Sequence, residues 1–201
     1  MHGVARGTDA RARTVVLVEG PSDLTALEVL ARRRGMGLEA ERVSLVSMDG
    51  ITNIGRFLAR LHTDEPEAHI AGLYDDAEER FVRRGLQRLG IDVPEDRAAL
   101  EALGFFSCSA DLEDELIRAL GPSEVERLVE AEGHLRSFRT LQQQPALRDR
   151  SLHDQLRRLM SGRSGNKERY AAVMAEAVPW EQVPPPLAGV LTYVAGTITS
   201  R

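Results

Sequence analysis

The sequence predicts an α/β fold built on an open parallel sheet, and three observations carry that prediction. Short apolar, β-branched runs alternate with helical patterns of 10 to 14 residues, and the first run, Thr14–Val18, is apolar after Thr14 rather than at every second position. That run then stops abruptly at Glu19, Gly20 and Pro21. Continuous apolar runs suit strands buried on both faces, and parallel neighbours need crossover connections of about a dozen residues or more.

After the first strand, Ser22 is placed to cap a helix whose apolar positions Leu24, Leu27, Leu30 and Ala31 recur every three or four residues until Gly35. The cycle repeats with strand 42–48 and helix 51–61, then strand 70–74 and helix 78–89. A fourth, shorter strand at 104–107 precedes the helical stripe Leu112, Leu116, Ile117 and Leu120, which ends at Gly121 and Pro122. Beyond that point the strand signal fades. Ser123 with Glu126 has the form of a capping box, and helical patterns continue over 135–141, 152–160 and 168–177, with a last apolar segment at 187–194. The expected organisation is a disordered leader at 1–13, an α/β core at 14–121, and a helical C-terminal extension of the same domain at 122–201.

With 201 residues, 42% apolar and 28% charged, the chain has the size and composition of one globular domain. The net charge of −5 argues against a nucleic-acid coat acting through overall positive charge, but it hides a gradient. Residues 1–132 carry 16 Arg against 26 acidic side chains, a balance of −10, whereas 133–201 carry 10 basic against 5 acidic, a balance of +5. The front suits cations and the back tolerates phosphates. Cys108 is the only cysteine, so no internal disulfide forms. No apolar run approaches a membrane span or a signal-peptide core, and the expected location is the cytoplasm.

Ligands of open parallel sheets bind beyond the carboxyl ends of the strands. Glu19 follows the first strand, with Asp23 four residues on; Asp75 and Asp76 follow the third; Asp111 and Glu113 follow the fourth. Crowded carboxylates repel one another, so a cluster that stays ionised needs a positive partner, and a hard divalent cation is the natural one. Structural roles compete for some of these residues. Asp23 sits in a helix first turn, where negative charge is favoured anyway, and Asp76 with Glu79 or Asp111 with Asp114 can cap helices. Glu19 and Asp75 are harder to assign to structure alone, because any polar residue could start the turn after the first strand and Asp76 is already available to cap after the third. Lys167 is the only lysine among 26 basic residues, in the segment SGRSGNK (161–167) just before a helix, where a cation opposes the helix dipole unless an anion such as phosphate is held there. No P-loop is present, and the five histidines show no triad spacing with Cys108.

The segments VVLVEGPSDLTAL (15–27), GLYDD (72–76), SADLEDEL (109–116) and GNKERYA (165–171) resemble, in order, the motifs of the Toprim fold, and more narrowly the Toprim half of the overcoming-lysogenization-defect (OLD) nucleases. The likeness runs over about residues 14–195. It implies a Rossmann-like, four-stranded parallel core and a divalent-metal site, holding Mg²⁺ or Mn²⁺, for cutting DNA. Carried over by motif, Glu19, Asp23, Asp75, Asp111 and Glu113 are the expected metal ligands, and Glu19, Asp75 and Lys167 the expected catalytic residues. The sequence departs from the family at Ala77, which stands where the motif Asp-x-Asp has its second aspartate, unless Asp76 or Glu78 bends in to replace it. The ATPase to which OLD nucleases are fused is also absent, so a separate ATPase subunit is an expected partner. A non-catalytic metal- or nucleic-acid-binding module serving such an ATPase is the alternative. A phosphorylated receiver domain fits less well, because Gly20 and Pro21 follow Glu19 where a second acid is needed, and Lys167 lies deep in helical territory.

Overall fold

The computed structural model describes residues 13–162 and 165–199. The expected leader lies outside them but for Arg13, as do Arg163 and Ser164 of the glycine-punctuated segment. Four strands, β1 (Thr14–Val18), β2 (Val43–Ser47), β3 (His69–Asp75) and β4 (Phe105–Cys108), form one sheet in the order β2-β1-β3-β4. Every pairing is parallel: Thr14 lies opposite Val43 on one side and His69 on the other, and Asp75 lies opposite Cys108.

The period of two along β1 divides the core into two layers. Val16 and Val18 join Ala71 and Leu73 on one face, while Val15 and Leu17 join Tyr74 and Phe105 on the other. The first face is covered by α1 (Pro21–Arg33), α5 (Leu112–Leu120), α9 (Asn166–Ala177) and α10 (Pro185–Thr199). The second is covered by α2 (Ile54–Asp64), α3 (Glu79–Gln87) and α4 (Arg97–Ala102). Fully burying one aliphatic side chain stabilises by about 1.5–3 kcal/mol, so both layers contribute strongly. Among the described residues no helix is long and apolar enough to cross a membrane.

The C-terminal helices α6 (Pro122–Ala131), α7 (Leu135–Gln142), α8 (Leu152–Ser161), α9 and α10 pack back onto the sheet side rather than apart from it. Helix α9 lies against α1 and α5, and α10 lies against β3 and β4. Gly104 makes the last contact possible: its φ is +89°, and a Cβ there would come within 2.7 Å of the Tyr193 ring.

Local details differ from the sequence reading in three places. Gly20, not Ser22, precedes α1, and its N–H donates to Asp23 Oδ2 at 2.9 Å. The capping box at Ser123 and Glu126 does not form, because Pro122 already begins α6 after Gly121 at φ +82°, and Glu126 reaches Arg139 instead, 2.6 Å away. Helix α4 went unread because it is only six residues long, with one fully buried residue, Leu100. Asp96 caps it, accepting from the Ala99 N–H at 2.7 Å.

Candidate metal centre

Parallel strands end at the same edge, and that edge assembles the site. Glu19 directly follows β1, Asp75 is the last residue of β3, and Asp111 is the N-cap of α5, just beyond β4. A cleft of about 410 Å³ is lined by Glu19, Asp23, Asp75, Asp111, Glu113 and Lys167. All six residues singled out from the sequence therefore meet at one rim, drawn from four separate stretches of chain.

In and beside the cleft the acids fall into two groups. Glu19, Asp75 and Glu78 each offer a carboxylate oxygen within 4.8 Å of the others. Glu78 arrives through a single 3₁₀ turn, Asp76–Glu78, inserted between β3 and α3. Asp76 turns outward to pair with Arg97, so of the two acids flanking Ala77 it is Glu78 that joins the rim. No arginine or lysine among the described residues lies within ion-pair distance of these three carboxylates. Burial and the negative charges of Glu19, Asp23, Asp111 and Glu78 push Asp75 up to about 8. Burial and neighbouring Glu19 push Glu78 up to about 7. The Glu78 Oε2 atom is buried without a hydrogen-bond partner.

The second group surrounds the first turn of α5, and the protein supplies its counter-charges. Asp111 Oδ1 accepts from the Asp114 N–H at 2.8 Å, while Oδ2 pairs with Arg157 of α8. Glu113, only 4% exposed, pairs through Oε2 with the Lys167 ammonium at 3.1 Å. Its Oε1 is buried and unpartnered. Asp114 is flanked by Arg118 at 2.7 Å and His153 at 2.8 Å. Glu115 accepts from the Ser109 N–H and from Arg118, at 2.8 and 2.9 Å. An N-terminal helix turn favours negative charge, which helps explain why four acids are tolerated there.

Asp23 stands between the groups. One oxygen holds the Gly20 N–H, and burial, reinforced by Glu113 and Glu19, pushes it up to about 6. Lys167 enters from the second position of α9, which begins after Gly165 in a left-handed conformation, φ +79°. Its ammonium sits beside Glu113 rather than free in the loop. Arg157 and His153 were not legible in the sequence: they follow α5 by roughly 40 residues and carry no motif. Glu78 had only a weak signal, its closeness to a missing aspartate.

A four-stranded parallel sheet in the order β2-β1-β3-β4 whose strand ends gather a glutamate and aspartates at one rim fits the Toprim fold that the sequence motifs imply. Residues 12–70 match the family described as overcoming lysogenization defect protein-like, TOPRIM domain. That match covers the first strand and its Glu19–Asp23 motif. The C-terminal region of the Burkholderia pseudomallei OLD protein superposes with a TM-score of 0.69 at 20% identity, covering 93% of this chain and 98% of that one. The C-terminal region of the Xanthomonas campestris pv. campestris OLD protein gives 0.69 at 21% identity, covering 94% and 97%. The fold of the described residues, including the C-terminal helices, is that of these OLD C-terminal regions. No curated protein matches the sequence.

Proposed function

We propose that this chain is a divalent-metal-dependent nuclease of OLD-like Toprim type, hydrolysing phosphodiesters of DNA and working with a separate ATPase. The observation that carries the reading is the convergence of Glu19, Asp75 and Glu78 within 4.8 Å, with no ion-pair partner for any of the three among the described residues. The donor set fits Mg²⁺ or Mn²⁺: it is all carboxylate oxygen, and Glu78 Oε2 is buried without a protein partner. Glu19, Asp75 and Glu78 would hold the ion, with Asp23, Asp111 and Glu113 on the adjoining wall. When bound, such an ion neutralises phosphate charge and makes water more acidic.

The remaining chemistry belongs to the chain. Arg157 holds Asp111, and Lys167 is held by Glu113, so both acids have fixed positions at the cleft wall. The Lys167 ammonium, half exposed beside Glu113, is available to a phosphate oxygen without leaving the site. The test is nicking of supercoiled plasmid with Mg²⁺ or Mn²⁺ against a chelator control, in wild type and Glu19→Ala. Equal activity in the variant overturns the proposal.

Ala77 supports a second reading, a non-catalytic module that binds metal for a partner ATPase. Mn²⁺-dependent thermal stabilisation without any nicking would favour it.

A further inference from the structure

Beside the acidic cleft lies a second one of about 340 Å³, and the two share Asp111, Glu113 and Lys167 along a common wall. The second cleft is cationic. Arg150 contributes from the turn before α8, Arg157 and Arg158 from α8 itself, and Lys167 from α9. Arg157 and Lys167 are spoken for by Asp111 and Glu113. Arg150 and Arg158 are exposed, and neither guanidinium has a carboxylate partner among the described residues, although Asp154 also lines the cleft.

That contrast needs an explanation. Around α5 the fold pairs acid with base closely, yet two exposed arginines lining the neighbouring cleft have no carboxylate partner among the described residues. Guanidinium groups match phosphate oxygens bidentately. Among the described residues no aromatic side chain lines either cleft, so these offer no platform on which unpaired bases could stack. The back of the chain is also where the sequence balance turns positive, +5 over residues 133–201.

We infer that the Arg150–Arg158 cleft is a duplex-backbone site that seats phosphates flanking the one presented to the acidic rim. The inference takes its partner from the nuclease reading, but its arginines are distinct from the acids that reading depends on. The two clefts adjoin along that wall, with Arg150 and Arg158 in one and Glu19 and Asp75 in the other. Contacts of this kind position a duplex without reading its sequence.

The test is fluorescence anisotropy with a labelled 20-base-pair DNA duplex, titrated in EDTA at several salt concentrations so that hydrolysis cannot intervene. Arg150→Ala with Arg158→Ala should weaken binding by about fivefold or more at low salt, and should reduce the slope of log K against log salt by roughly 2, about one unit per lost phosphate contact. Arg150→Lys with Arg158→Lys should restore most of the slope. Arg60→Ala, a substitution in α2 on the other face of the sheet, should change neither quantity. Unaltered affinity and slope in the alanine pair overturn the inference, as does wild-type preference for single-stranded DNA over the duplex. Both alanine substitutions fall on exposed side chains, and an unchanged circular dichroism melt shows that the variant is folded. Because the readout is binding without metal, a wild type that binds the duplex but never nicks it defeats the nuclease reading and leaves this one standing.

Discussion

Two sets of acids share one rim and are treated oppositely. Around α5, Asp111, Glu113, Asp114 and Glu115 are matched by Arg157, Lys167 and Arg118, and Asp114 also hydrogen-bonds His153. At the ends of β1 and β3, Glu19, Asp75 and Glu78 crowd together with no such partner among the described residues, and Asp75 and Glu78 are pushed up to about 8 and about 7. The first set is stable as it stands. The second is a source of repulsion that stored protons or a bound cation must relieve. The lesson is that a carboxylate's role can be read from whether the fold provides its counter-charge.

The largest expected effect separates the sets by activity. Glu19→Ala should lower metal-dependent plasmid nicking by about 100-fold or more, the scale of losing a principal electrostatic element of a site. Its chelated melting temperature should hold or rise, because a repelling charge is gone. A variant that melts much earlier would place Glu19 with the structural acids instead.

Lys167→Met should break the paired set. It strands the buried Glu113 carboxylate, and after allowance for the half-exposed lysine the cost is about 1–2 kcal/mol, or roughly 2–8 °C in a chain of this size. Adding Glu113→Gln should recover most of that loss in a double-mutant thermal-melt cycle; independent, additive losses would show that the pair is not coupled.

Asp75 and Asp111 should respond to the same substitution with opposite signs. In chelator at pH 7.5, Asp75→Asn should raise the melting temperature by roughly 2–4 °C, corresponding to about 1 kcal/mol once solvent screening is allowed for. Asp111→Asn should lower it, through loss of the Arg157 ion pair. The pH dependence follows from linkage. Asp75, Glu78 and Asp23 are all raised in the folded state, so folded protein binds more protons than unfolded between the ordinary carboxylate range and about pH 8. Their stabilisation is fully present at acid pH and lost as pH rises through about 6, 7 and 8. Metal-free wild type should therefore melt progressively earlier from pH 5 to 8.5, and saturating Mn²⁺ should flatten that trend. A flat metal-free profile would remove the contrast between the two sets.

The smallest effect is expected at Asp76. Its pairing with Arg97 is exposed, so Asp76→Ala should change stability by less than about 0.5 kcal/mol and leave nicking intact. Glu78→Ala, in contrast, should impair nicking; if the two variants behave alike in that assay, Glu78 has not taken the place vacated at Ala77.

Much of the fold was legible because burial on both faces leaves a strong trace. Thr14–Val18 and residues 70–74 could hardly be amphipathic surface segments, and their shared direction brings Glu19 and Asp75 to one edge without further assumption. Short elements were less visible: α4 buries only Leu100 fully, and the 3₁₀ turn that delivers Glu78 has no periodicity to read. Helix starts were misplaced where backbone geometry at Gly20 and Gly121 outweighed the hydroxyls at Ser22 and Ser123.

Local sequence thus determined the strand–helix alternation, the parallel sheet and the acids that must face its carboxyl edge, since these follow from hydrophobic period and chain direction. Tertiary structure alone decided which of those acids are neutralised. Arg157 and Lys167 reach α5 only because α8 and α9 fold back beside it, and a charge pair across 46 or 54 residues leaves no pattern in the intervening chain.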